Sequence, residues 1–326
     1  MSLIALAIGD PNGIGPEIAV RAAVALSDEN APPILVGDAH VVAHYAARLA
    51  PGLAIRDVAQ NGPAPDALNL FPVAALSPGK FSPGVFDAAA GRATVAYVEA
   101  AIGLVRAGRA RAVVACPHSE TAVNAAGIAF GGYPGLVARI LGLPEQSVFL
   151  LLIGGGLRIL HVTLHERLAD ALGRLTSDLV ENAGRTLDGA LRALGLAHPR
   201  IGLFGINPHA GENGLFGDDD ERIVAPAAAR LKAAGVDVEG PLGADLLLAR
   251  RDLDGYVAMY HDQGHIPIKL LSPRGATALS VGGDVIFSSV GHGSAFDIAG
   301  RDMADPAALI AALRLIGGVA RTKVAS

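Results

Sequence analysis

The chain contains no tryptophan and a single cysteine, Cys116, among 326 residues. One cysteine excludes an internal disulfide and fits a reducing, cytoplasmic setting. Cys116 lies in the apolar run RAVVACP, where a free cysteine serves as a small core hydrophobe. Aromatic residues make up 4%, too few for platforms that stack single-stranded bases. Charged residues are also scarce, at 17%, and the net charge is −5. No basic field is available for phosphate backbones or anionic lipid, so neither nucleic acid nor a membrane surface is expected as a partner. Long hydrophobic runs are missing too. The most apolar stretch, VFLLLIGGGL at 148–157, is broken by three glycines and ends at Arg158, short of the roughly 20 residues a bilayer requires. No basic region opens the chain, so no signal peptide is expected.

Hydrophobic residues are plentiful, at 51%, and supply a large core. Short apolar runs (LIALAIG, PPILVG, RAVVAC, SVFLLL, LRILHVTL, RIGLFGIN, DGYVAMY, TALSVGG) read as strands, most of them buried on both faces. Between them lie Ala/Leu-rich segments with apolar spacings of three and four, which read as helices. Ser177-Asp178 and Asp305-Pro306 are placed as helix caps, and Gly108 and Gly235 as helix ends. The Pro/Gly-rich stretch at 61–84 is expected to be irregular, with no long helix. This alternation predicts an α/β fold on a largely parallel sheet.

Three short runs carry the chemistry: HVTLHE at 161–166, INPHAGE at 206–212 and MYHDQGH at 259–265. They supply His161, His209 and His261, with gaps of 48 and 52 residues (209 − 161 and 261 − 209), which no zinc finger or HExxH helix spans. A single histidine at a strand end is more often a hydrogen-bonded core residue than a ligand. Three of them at or near strand ends, where open α/β sheets hold ligands, suit an open catalytic metal site with a fourth position free. His165 and His265, each four residues further on, are rivals as orienting or substrate groups. His118, in CPHSE after a strand, can face the same cleft. GDPNGIGPE at 9–17 is a glycine-rich strand-to-helix turn able to present N–H groups to an anion, or simply a tight turn.

HGSAFDIAG at 292–300 is similar to the HGSAPDIAG loop of the isocitrate and isopropylmalate dehydrogenases, which wraps the adenine end of NAD. The likeness assigns cofactor binding to His292, Gly293, Ser294, Ala295 and Asp297, while Phe296 replaces the proline. Taken with GDPNGIGPE, HVTLHE, GINPHAGE, GPLGAD and YHDQGHIPIK, the set resembles the 4-hydroxythreonine-4-phosphate dehydrogenase family over residues 9–301. That resemblance implies an isocitrate/isopropylmalate-dehydrogenase-like fold of two α/β domains with a cleft between them. The first domain would comprise 1–135 plus 272–326, with the cofactor loop. The second, 136–271, would carry the metal ligands and the dimer contacts. It also implies a homodimer with its active site at or near the subunit interface. A divalent metal would be held by His161, His209 and His261, the third of these coming from the partner subunit. Asp245, Asp262 and Lys269 match polar active-site positions beside the metal, with Lys269 or a water on Asp262 as base. Zinc suits three imidazoles best, although cobalt, nickel, manganese or magnesium also fit.

Departures from that family point to a branch of it. The family's Pro-x-x-Lys segment reads Pro117-His118-Ser119-Glu120, and its Gly-His-Thr-Glu loop reads Gly132-Tyr133-Pro134-Gly135. Ala278 and Phe287 stand where an Asn and an Arg help bind phosphate, and a dianion needs such paired donors. ACPHSETAVNAAGIAFGGYP, FGINPHAGENGLFG and ALSVGGDVIFSSVGHGSAFDIAGR look like the terephthalate cis-dihydrodiol dehydrogenases. The branch implies NAD-dependent oxidation and decarboxylation of a cyclohexadiene diol dicarboxylate to protocatechuate. His118, Glu120, Tyr133 and Phe287 would then line the substrate pocket. The rivals are a dehydrogenase of 4-hydroxythreonine 4-phosphate or a related sugar-acid phosphate, a metal-dependent hydrolase on the same histidines, and a non-catalytic binding protein.

Overall fold

A computed structural model describes residues 3–27, 32–273 and 276–318. By internal contacts one unit comprises Met1–Phe130 with Val285–Gly317, and another contains Gly131–Asp284. In the first, β1 (Ile4–Ala7), α1 (Gly15–Ala25), β2 (Ile34–Gly37) and α2 (Ala39–Leu49) alternate as expected. β3 (Ala54–Asp57), a short α3 (Val58–Asn61) and β4 (Ala67–Pro72) follow, then the long α4 (Ala88–Arg106), β5 (Ala112–Ala115) and α5 (Glu120–Ala125). Every residue of β1, β2 and β5 is buried, which is why these strands read as unbroken apolar runs. α4 is long and apolar enough to cross a membrane by length and composition, yet ten of its residues are buried within the protein. Asp87 caps it, accepting from the Ala89 amide at 2.6 Å. Its Tyr97 donates to buried Asp38 at 2.5 Å.

The second unit runs through α6 (Tyr133–Leu141), β6 (Phe149–Gly154), β7 (Leu157–His161), α7 (Leu168–Arg174), α8 (Ser177–Ala193), β8 (Arg200–Phe204) and α9 (Ala225–Ala233). It continues with β9 (Asp237–Leu242), α10 (Ala244–Arg250), β10 (Gly255–Ala258), α11 (His261–Leu271) and β11 (Thr277–Val281). The chain then adds β12 (Ile286–Val290) and α12 (Ala307–Gly318) to the first unit. The first unit's strands lie in the order β3-β4-β2-β1-β5-β12, all of these pairings parallel. The second unit's order is β11-β6-β7-β10-β8-β9. Here β6 runs antiparallel to both β11 and β7, so the sheet is mixed. Gly155 and Gly156, both at positive φ (59° and 79°), make the two-residue turn that joins β6 to β7, which explains the glycines interrupting that apolar run. Leu152, Ile159, Phe204, Leu247, Tyr256 and Ile268 fill the core beneath the strands.

Four strands went unread in the sequence: β3, β4, β9 and β12. β3 and β9 are sheet edges carrying polar or Gly-Pro residues, where alternation is weak. β4 lies inside 61–84, expected to be irregular, and that stretch indeed has no long helix. β12 reads IFSSV, too rich in serine to signal a strand. The cap of α8 is Thr176, one residue before the expected serine, accepting from the Leu179 amide at 3.2 Å. Asp305 does cap α12, accepting from Ala307 at 2.9 Å.

Candidate functional site

Four histidines converge in the second unit. His161 ends β7, fully buried, and its ring lies 6.5 Å from that of His261 and 4.6 Å from that of His265. His261 and His265 are stacked at 3.7 Å on α11, one turn apart on one helix face, and Lys269 follows one turn later. His165 completes the group, 5.3 Å from His261, with its Nδ1 3.0 Å from the Gly131 carbonyl. Burial pushes the His161 pKa down to about 3 and that of His265 to about 4, with neighbouring imidazoles adding to the effect. Both rings are therefore neutral at pH 7 and keep a lone pair. Gly264 is required by this packing, since a Cβ there would sit 2.3 Å from His161 Nε2. A cavity of about 500 Å³ opens beside His165, His261, Asp262, Tyr260 and Glu166.

The ring orientations share one feature. His161 Nδ1 lies 3.3 Å from the Leu150 carbonyl, His261 Nδ1 lies 2.6 Å from Asp262 Oδ1, and His209 Nδ1 lies 2.5 Å from Glu212 Oε2. An oxygen acceptor at Nδ1 places the proton there and leaves Nε2 as the donor, the arrangement that metal-bound imidazoles use. The chemistry of the three predicted ligands thus fits a divalent ion. Their positions fit only in part. His265 Nδ1 occupies His161 Nε2 at 3.0 Å, and the ring of His209 meets Glu212 and Phe216 but none of the other histidine rings among the described contacts. No three His, Cys, Asp or Glu side chains among the described residues form a ready metal cage within one chain.

His209 stands on a strained loop. His209, Ala210, Glu212 and Asn213 all hold positive φ, between 44° and 55°. Such backbone persists where surroundings over-determine it, and it concentrates at functional sites. Here buried Asp220 fixes the loop's entrance, accepting from the Ile206 and Asn207 amides at 2.7 and 3.0 Å. Gln263 ties the start of α11 to the end of β8, donating to the Gly205 carbonyl at 2.7 Å.

In the first unit the strand order turns back between β1 and β5, and such a switch point opens a ligand crevice at the strands' carboxyl ends. The 9–15 turn, the 116–120 segment and the 291–297 loop meet there. Asp10 donates its amide to the Pro117 carbonyl (2.9 Å), and Ile14 donates to the Ser294 carbonyl (2.9 Å). Burial pushes the Asp10 carboxyl up to about 6, against two backbone hydrogen bonds that lower it. Ser294 is buried, whereas His292, Gly293 and Asp297 are exposed, so the 292–297 loop offers backbone and side chains to solvent. Ala295 holds a positive φ of 41°. His118 and Glu120 approach to 4.0 Å, and the His118 ring packs edge-on against Phe130.

Phe287 is corrected by the structure. It is wholly buried in β12, paired with Val113 of β5, and so belongs to the protein core and not to a pocket wall. Tyr133 is buried at the first turn of α6. Asp245 lies in the first turn of α10, and none of the described hydrogen bonds or ion pairs joins it to the histidines. His265 and His165, second to the three candidate ligands in the sequence, both enter the cluster. The i, i+4 spacing of His261 and His265 would have exposed the first of them had MYHDQGHIPIK been read as a helix.

Residues 29–316 match the family described as pyridoxal phosphate biosynthetic protein PdxA. The chain is 49% identical to a 1,2-dihydroxy-3,5-cyclohexadiene-1,4-dicarboxylate dehydrogenase of a Comamonas species, over 96% of each chain. Among solved structures it is similar to a terephthalate 1,2-cis-dihydrodiol dehydrogenase from Burkholderia xenovorans LB400. That match has 55% identity, covers 97% of this chain and 98% of the other, and has a TM-score of 0.73. A 4-hydroxythreonine-4-phosphate dehydrogenase from Klebsiella pneumoniae is 34% identical, covered to 98% on both sides, with a TM-score of 0.85.

Proposed function

The chain belongs to the PdxA family, an α/β family of dehydrogenases, and we propose that it oxidises and decarboxylates 1,2-dihydroxy-3,5-cyclohexadiene-1,4-dicarboxylate to protocatechuate with NAD and a divalent ion, zinc foremost. The observation that carries this reading is the shared orientation of His161, His209 and His261, each with Nδ1 held by oxygen so that the lone pair falls on Nε2, which in His161 is met by His265 and would have to be released to an ion. When bound, the ion supplies a Lewis acid for adjacent hydroxyl and carboxylate oxygens, and the dinucleotide supplies the hydride acceptor.

The chain's own groups do the rest. Lys269, two turns beyond His261 on the same face of α11, takes the alcohol proton, and Asp262 both orients His261 and can hold a water for that task. Asp245 serves as a further polar group of the site. Loss of the hydride leaves a ketone one carbon from the carboxylate, so carbon dioxide departs and the ring becomes aromatic. His118 and Glu120 contact the substrate, and Tyr133 is a further residue assigned to its recognition. His292, Gly293, Ser294, Ala295 and Asp297 bind the dinucleotide. NAD is preferred over its phosphorylated form, because the 292–301 stretch carries a single arginine, Arg301, and no arginine cluster to hold a further phosphate.

A second copy of the chain completes the site: the resemblance gives the partner's contribution as His261, whereas within one chain His261 lies 6.5 Å from His161 and it is His209 that stands apart from the other rings. The outer face of α11 supports such an assembly, with Ile266, Leu270 and Leu271 left exposed beside the cluster.

The test is to incubate the protein with zinc, the dihydrodiol of terephthalate, and either NAD or NADP. Reduced nicotinamide and protocatechuate should appear together, faster with NAD. Turnover of 4-hydroxythreonine 4-phosphate in place of the diol would overturn the substrate assignment, and equal efficiency with both cofactors would overturn the preference.

A further inference from the structure

Three segments of the first unit meet around Asn12, a fully buried residue in the turn after β1. Its side-chain amide donates to the carbonyls of Val85 (3.1 Å) and Lys80 (3.4 Å), and its side-chain oxygen accepts from the Ser82 amide at 2.8 Å. Its own carbonyl accepts from the Gly84 amide at 2.7 Å. One asparagine thus holds the strap at 80–85 by four bonds, and the Lys80–Asp87 ion pair (3.2 Å) closes the strap's base.

The strap and the turn together bear on the 292–300 loop. A Cβ on Gly84, whose φ is +84°, would come within 3.0 Å of the Phe296 carbonyl oxygen. A Cβ on Gly300 would meet Pro83 at 2.8 Å, and one on Gly13 would meet Ser294 at 2.8 Å. These contacts fall on the stretch that the preceding section assigns to the dinucleotide. Residue 296 is a proline in the loop it resembles, and proline fixes φ, whereas Phe296 does not. The restraint has to come from outside the loop, next to an Ala295 held at positive φ.

We propose that Asn12 is a positioning residue for dinucleotide binding, acting through the 80–85 strap and the 9–15 turn to hold the 294–300 backbone in its binding geometry. It touches no reacting atom, so it sets affinity for the dinucleotide and leaves the chemical step alone. The proposal rests on the assignment of the 292–300 loop to the dinucleotide.

The experiment measures equilibrium binding of NADH by fluorescence, with KM and kcat for NAD, in the parent, Asn12→Ala, Gly84→Ala and Ile102→Ala. Ile102 is a buried residue of α4 outside the clasp and serves as a control for lost stability. Asn12→Ala, which removes three side-chain hydrogen bonds to the strap, and Gly84→Ala, which sets a Cβ against the Phe296 carbonyl at positive φ, should each weaken binding and raise KM about tenfold, with kcat within about twofold. Ile102→Ala, with a melting temperature lowered to a similar degree, should leave Kd and KM unchanged. If Asn12→Ala fails to fold, Gly84→Ala carries the comparison. Parental affinity in a folded Asn12→Ala or Gly84→Ala protein, or equal weakening in Ile102→Ala, overturns the proposal. A parent chain that binds no dinucleotide at all overturns the loop assignment as well.

Discussion

At the scale of single residues, Asp10 sets a pH signature that the sequence did not announce. Its carboxyl is fully buried and pushed up to about 6, from the 3.8 of an ordinary aspartate in the unfolded chain. A raised folded-state value means that the neutral form is favoured. That contribution is fully present below pH 3.8 and is lost as pH rises through about 6. Asp10→Asn cannot ionise and still accepts from the Asn12 amide. It should therefore unfold with about 2–3 kcal/mol more free energy than the parent at pH 8, a margin that vanishes near pH 4. Denaturant melts at both pH values check this, and a margin independent of pH would contradict it. The candidate histidines could be singled out in the sequence because each stands in a short polar run at or near a strand end. An aromatic residue in place of an arginine looks like a pocket change, and only the complete burial of Phe287 in β12 beside β5 shows it to be core.

Among elements, α11 matters most, and the sequence hid it. MYHDQGHIPIK carries a glycine and Pro267, both poor helix residues, so local propensity argues against the helix that the tertiary structure imposes. That helix brings His261, His265 and Lys269 onto one face and presses Gly264 against His161. Gly264→Ala should displace the His161 ring, weaken zinc binding at least about tenfold, and cost about 1–3 kcal/mol of stability through overpacking. Zinc titration with a competing chromophoric chelator measures the first effect, and unaltered zinc affinity would show that the His161 Nε2 position is not part of the metal site. The central strands were readable because burial on both faces writes itself as unbroken apolar runs. The edge strands β3 and β9 were not, since polar residues that blunt a sheet edge also erase its pattern.

For the whole molecule, family and α/β architecture could be read before any coordinate, because motifs such as HGSAFDIAG and YHDQGHIPIK are long and ordered along the chain. A second copy at the site was expected only from the family resemblance, and which surface would meet it was not readable, since that depends on the exposed faces of the folded chain. The apolar outer face of α11 predicts an isologous assembly, and Leu270, 76% exposed, is its most accessible member. Leu270→Glu should shift the protein from dimer to monomer in light scattering and lower bound zinc with it. A parent chain that is monomeric yet holds zinc at full stoichiometry would remove the need for a second copy.

The central claim is that His161, His209 and His261 direct their Nε2 atoms at one ion although one chain does not bring all three together. The most direct measurement is zinc content after equilibrium dialysis, by elemental analysis, for the parent and for His161→Ala, His209→Ala and His261→Ala. The account predicts one ion per chain in the parent and its loss in all three variants, His209→Ala included. Retention of that ion at parental affinity in His209→Ala would contradict it.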